Sequence, residues 1–246
     1  MISLILLWLR GAGLVGQTMA LGSVAFALIV LRGDAERGVD RFLTVVRFGA
    51  LVAVVAQIGI LATVASALSA DGARWAIVDA VGSTVIVAGL ARIAAGILVL
   101  GAARAVRRMP ASRLRGFSLL GSTLLLCVSG ALTSHAMGRL DDRAWLVIVT
   151  ALHQVFVGAW VGGLVCAVIW WMGAAPSADA AWLRRFSVVA LVTVAGIAVT
   201  GTVLTFVYVA TPGAAVGTSY GAMVLTKVVI FIALLAMAAL NHRAVH

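Results

Sequence analysis

The sequence predicts an all-α, polytopic membrane bundle of about seven transmembrane helices, with the amino terminus outside and the carboxyl terminus cytoplasmic. Three observations carry that expectation. Hydrophobic residues make up 63% of the 246 positions and charged residues 11%, a balance that no water-soluble core of this size requires. The apolar runs last about 20 residues or more with Ala, Leu, Val and Gly mixed throughout, which suits helices and not the short alternating strands of a barrel. The links between runs are too short to fold as soluble domains, so residues 1–246 read as a single membrane domain surrounded by the lipid bilayer.

Taken in order, the first helix is expected near 8–31. The start MISLILLWLRGAGLVG has neither a positive leading segment nor an A-x-A cleavage pattern, so this run is expected to be retained as a helix. The link RGDAERGVDR leads to a second helix near 42–70, and DGAR leads to a third near 75–103. RAVRRMPASRLR precedes a fourth near 116–137, and GRLDDR precedes a fifth near 144–172. A segment from Gly173 to Arg184 leads to a sixth near 185–210, and TPGAAVGTS leads to a seventh near 220–241.

Orientation follows from the charges in these links. Alternate links and the tail hold 11 Lys and Arg residues against 3 in the others, and the richer set belongs on the cytoplasmic side. The formal net charge of +10 is explained by the same loop distribution, so no nucleic acid partner is expected. The outer links offer Asp71, Asp141 and Asp142, with Asp79 one turn into the third helix, an acidic rim able to attract a cation. Cys127 and Cys166 both fall in apolar runs and read as small packing residues, not as a disulfide.

A polar side chain in hydrocarbon is costly and asks for a partner or a role. His135 falls near the outer end of the fourth helix and His153 in the fifth, so they sit on antiparallel neighbours. Counted from the inner side, both rise roughly 30 Å; counted from the outer link they differ by about 12 Å, so the fifth helix must project outward or bend for the pair to meet. Two neutral imidazoles suit copper, and they equally suit the two axial positions of a haem; the structural alternative is that each bonds a backbone carbonyl or a hydroxyl such as Thr133 or Ser134. Met137 is a weaker metal candidate that contributes only if the fourth helix ends before it, and Met19 and Met223 are weaker still. Trp160, one heptad step after His153, is placed on the same helix face. His242 and His246 are expected to face solvent in the inner tail. Gly158 and Gly162 form a G-x-x-x-G that invites close approach of another helix. Lys227 and Arg92 are charged residues inside apolar runs, expected to snorkel or to need burial.

The run from Gly116 to Arg243 resembles the CopD family of copper-resistance membrane proteins. The resemblance rests on Ser134-His135-Ala136, on Leu152-His153 followed by Trp160-Val161-Gly162-Gly163-Leu164, and on Arg185-Phe186-Ser187 leading through Ala190-Leu191 to Thr200-Gly201. It continues in Thr218-Ser219-Tyr220-Gly221, Leu225-Thr226-Lys227 and Asn241-His242-Arg243. The resemblance implies an inner-membrane protein linked to copper uptake into the cytoplasm, working with a periplasmic copper-binding partner of the CopC type, and it implies His135 and His153 as the family's histidine positions. The chain departs from the family pattern in stopping after the seventh expected helix, where the family usually has an eighth, and in lacking a methionine-rich outer segment.

The leading expectation is therefore a copper-binding, non-enzymatic permease of the bacterial inner membrane, involved in copper homeostasis and resistance, with copper ion held by His135 and His153. The alternatives are a membrane b-type cytochrome with bis-histidine haem b, and a membrane scaffold for copper-enzyme assembly. No P-loop, Ser-His-Asp set, H-E-x-x-H motif or dinucleotide fingerprint is present, which argues against ATP-driven pumping and against hydrolase or dehydrogenase chemistry.

Overall fold

A computed structural model describes the backbone of residues 2–32, 38–70, 83–110, 112–138, 142–173, 181–209 and 212–245. Within these stretches the side chains of 68–70, 135, 136, 212, 214, 215, 219, 220 and 237–245 lie outside the description. Every regular element among the described residues is helical: α1 Ile2–Leu31, α2 Val39–Ala70, α3 Thr84–Arg108, α4 Arg113–Leu132, α5 Arg143–Gly173, α6 Ala181–Tyr208, the short α7 Pro212–Gly217, and α8 Ser219–Val245. The first six are long and apolar enough to cross a membrane, and Gly221–Ala236 within α8 adds a shorter apolar stretch. The protein is thus a polytopic helical bundle, as the long apolar runs require: in lipid each backbone N–H and C=O must bond within its own segment.

The element ends depart from the expected boundaries for local reasons. The third helix starts at Thr84, capped by Ser83 Oγ, which accepts from Ile86 N at 3.4 Å. It runs on to Arg108 because Arg104, Arg107 and Arg108 are good helix formers placed at the favourable end of the helix dipole. The expected start at 75 and Asp79 lie outside the described residues. The fourth helix ends at Leu132, not near 137, because two hydroxyls fold back on the chain: Thr133 Oγ1 donates to Gly130 O at 2.9 Å and Ser134 Oγ to Ala131 O at 2.6 Å. Such bonds give the backbone an alternative to another α-turn, and a 3-10 turn, His135–Gly138, follows.

The chain divides into two compact units, Met1–Ala198 and Val199–His246. In the first, α1 is the central helix: 61% of its most apolar window is buried, against 17–39% in the other spans. One core seam joins Ala20 and Val24 of α1 to Val46, Ala50 and Ala53 of α2, Ala95 and Val99 of α3, and Leu126 of α4. A second gathers Phe26 and Leu31 of α1, Phe42 of α2, Cys166 of α5, and Trp182 and Phe186 of α6. Lipid tails are as apolar as these side chains, so association here comes from close packing and hydrogen bonds more than from water exclusion.

Close packing is sharpest at two glycine contacts on α1. Gly16 meets Gly49 of α2, where a Cβ on Gly16 would lie 2.5 Å from the Gly49 carbonyl oxygen. Gly22 meets Gly162 of α5, and a Cβ on either would collide with the other helix's backbone. The expected G-x-x-x-G approach is therefore met by α1, and Gly158 lies against Leu21. The same stretch, Gly158–Gly162, is a π-helical segment within α5. In the second unit α7 packs on α8, whose Val228, Val229, Ile230, Ile232, Leu234 and Leu235 are all exposed, as a helix surrounded by lipid would show.

Candidate functional site

At one level inside the bundle, four helix segments each bring a polar side chain to the same point. Gln17 comes from the middle of α1 and is 2% exposed; Arg92 comes from α3 and is 5% exposed. Thr133 closes the end of α4, and Gln154 faces inward from α5. Arg92 Nη2 donates to Gln17 Oε1 at 2.8 Å, Gln17 Nε2 donates to Gln154 Oε1 at 2.9 Å, and Arg92 Nη1 donates to Thr133 Oγ1 at 3.3 Å. Glycines make room for it. A Cβ on Gly130 would lie 2.6 Å from both Arg92 Nη1 and Gln17 Oε1, and one on Gly13 would lie 3.3 Å from Arg92 Nη2.

This network fixes relative heights. Arg92 is 8 residues into α3, about 12 Å at 1.5 Å per residue, and Gln154 is 11 residues into α5, about 16 Å. Arg92 bonds Thr133 at the end of α4 and Gln154 lies beside Gly130 in its last turn, so α3 and α5 extend beyond it on that side. A meeting of His135 and His153 is expected to require a fifth helix that projects past the fourth, and α4 does stop at Leu132. His135 occupies the 3-10 turn two residues after Thr133, not a position within the fourth helix, and that turn packs against the first part of α5. The imidazole of His135 lies outside the described side chains.

His153 is half-buried and precedes Gln154 in α5. It shares a helix stripe with Leu146 and Val149, which are 1% and 3% exposed, so it belongs to the inward-facing side. Trp160 is half-buried within the π-helical segment Gly158–Gly162. Met137, beyond the end of α4, is half-buried; Met19 is half-buried on α1 and Met223 is exposed. Among the described residues no three His, Cys, Asp or Glu side chains converge on one point. Cys127 and Cys166 are free thiols and fully buried, the latter 3.2 Å from Ser23 Oγ.

Sequence reasoning singled out Arg92 and Thr133 separately and passed over Gln17 and Gln154. The available signal was an amide in the middle of an apolar run, which is as costly to leave unpaired as a hydroxyl. Among the described residues no carboxylate bonds Arg92; an ion pair elsewhere, Arg107 with Asp40 at 3.7 Å, is exposed at 63% and 84% and of little energetic weight.

Residues 180–246 match the family model CopD, copper resistance protein D. The CopD match takes in Arg185-Phe186-Ser187, Thr200-Gly201, Thr218-Ser219-Tyr220-Gly221 and Asn241-His242-Arg243, so it supports the resemblance drawn from those motifs. His135, His153 and the Arg92 network lie before the CopD match in the chain. No curated protein and no solved structure shows significant similarity to the chain.

Proposed function

We propose that this membrane protein handles copper in the bacterial inner membrane, taking the ion from the outer side toward the cytoplasm, with His153 and His135 as the imidazole ligands. The observation that carries this reading is the match of residues 180–246 to copper resistance protein D. Two features of the bundle support it. His153 stands on an inward-facing stripe of α5, and the 3-10 turn that carries His135 packs against the first part of the same helix. Imidazole is a suitable donor for copper, and Met137 follows in the same turn as a softer one. The copper is cargo, so the chain needs no catalytic group. A periplasmic copper-binding protein of the CopC type is the proposed donor, and the positive-inside distribution of Lys and Arg supports an outside amino terminus.

The test is elemental analysis and visible spectroscopy of the detergent-purified full chain, beside His153→Ala and His135→Ala/His153→Ala. Copper that binds without a Soret band and is lost in the variants supports the copper site. A Soret band lost in the variants would replace it with bis-histidine haem. Equal copper in the native protein and the double variant would remove both histidines from the reading and leave a scaffold role.

A further inference from the structure

A charge held inside a membrane bundle is ordinarily paired, because an isolated one costs far more than an unsatisfied neutral group. Arg92, 5% exposed, has only neutral partners among the described residues: Gln17 and Thr133. The directions of its hydrogen bonds show what kind of partner the cluster lacks. A guanidinium only donates. The atom of Gln17 that faces Arg92 Nη2 is therefore its oxygen, which turns Gln17 Nε2 toward Gln154 and makes the Gln154 atom at 2.9 Å an oxygen as well. Thr133 Oγ1 gives its hydrogen to the Gly130 carbonyl and receives Arg92 Nη1.

Each side-chain oxygen of the network is thereby engaged by a donor, and what is left over is donors. Arg92 has five N–H groups and makes bonds through two of its nitrogens, while Gln154 Nε2 carries two hydrogens with no partner among the described residues. A cluster built on a buried guanidinium, with one positive charge and only donors to spare at Arg92 and the half-buried Gln154, is complementary to an anion. We propose that the Arg92–Gln154 cluster binds one small monovalent anion of the halide or carboxylate class, with the guanidinium as its charge partner and the Gln154 amide as a second donor. Such an anion would also offset the repulsion that Arg92 exerts on any cation held at His153, but the anion site stands whether or not copper is the cargo.

The experiment measures equilibrium binding of radiolabelled chloride to the full chain in a nonionic detergent, with unlabelled formate as competitor. Native protein binds chloride saturably, one per chain, and formate displaces it if the site accepts planar carboxylates as well as halides. Arg92→Gln abolishes the binding, and Gln154→Leu, which keeps the charge but removes the spare amide, weakens it about tenfold or more. No saturable binding by the native protein overturns the proposal, as does unchanged binding by folded Arg92→Gln. Should Arg92→Gln yield no folded protein, Gln154→Leu decides: native affinity in that variant refutes the site. None of these readouts involves copper, so their failure leaves the proposed copper site to its own test.

Discussion

The contact between Gly22 and Gly162 makes a sharp demand on the bundle. Replacing Gly22 with Ala puts a Cβ into the backbone of Gly162, and the Gly158 carbonyl lies 2.7 Å from the same position. Backbone cannot rotate out of the way as a side chain can, so α1 and α5 must separate. Overpacking a well-filled interior costs about 1–3 kcal/mol, and a backbone collision belongs at the upper end. Against this, Ala in place of Gly favours the helix by roughly 0.8–1 kcal/mol. The net expectation for Gly22→Ala is a loss of about 2 kcal/mol. Gly101 in α3 is the matched control, since a Cβ there meets nothing within 4 Å; Gly101→Ala keeps only the propensity gain. The two variants should therefore differ by about 3 kcal/mol, roughly a hundredfold in the folding equilibrium. Reversible unfolding in mixed micelles, followed by tryptophan fluorescence, measures that difference. Equal stabilities for Gly22→Ala and Gly101→Ala would mean that α1 does not approach α5 at these glycines, and the central place given to α1 would fall with it.

Other parts of the structure lead to further expectations. Gln17→Leu leaves both Arg92 Nη2 and Gln154 Oε1 without their bonds and should cost about 2 kcal/mol, within the range for hydrogen bonds to charged groups. Combining it with Arg92→Met should cost less than the two single changes summed, by about 1–2 kcal/mol in a double-mutant cycle, whereas strict additivity would show that the pair does not interact. Thr133→Val removes the hydroxyl that both receives Arg92 and turns back to Gly130, and should lower stability by about 1–3 kcal/mol in the same unfolding assay; an unchanged midpoint would speak against that bond. Cys127 and Cys166 are 0% exposed, so neither should react with a maleimide in the folded protein while both label in denaturant. Rapid labelling of either under native conditions would contradict its position in the core.

The helical class was legible because it depends on quantities that add along the chain: long apolar runs, sparse charge and short links. The ends of the elements depend on single side chains instead. Arg113-Leu114-Arg115 reads as a basic loop, yet it forms the first turn of α4 because these are good helix formers. Thr133 and Ser134 read as ordinary residues near the end of a span, and their hydroxyls are what stop the helix. Gly158-Ala159-Trp160-Val161-Gly162 carries the spacing of a helix contact, which it makes, but that spacing does not disclose the π-helical turn. The polar network was the least legible. Gln17 and Gln154 are 137 residues apart, and neither has a sequence signature that names the other. Only the packing of α5 on α1 makes them neighbours.

The π-helical segment of α5 acts as a phase correction. Gln154 and Cys166 are separated by twelve residues, which in an unbroken α-helix at about 100° per residue would set them roughly 120° apart around the axis. A π-turn accommodates one residue more than the α-helix around it, so the separation behaves as eleven α-helical steps and the two side chains come within about 20° of each other. Both then look toward α1, where Gln154 meets Gln17 and Cys166 meets Ser23. One added residue thus lets a single helix keep two engagements with α1, one with Gln17 at the level of Arg92 and one with Ser23 further along, that an unmodified helix would have to choose between. Deleting Ala159 is expected to dissolve this alignment and expose Cys166 to maleimide while leaving the total helix content nearly unchanged by circular dichroism; a Cys166 that stays protected would show that the phase is set elsewhere.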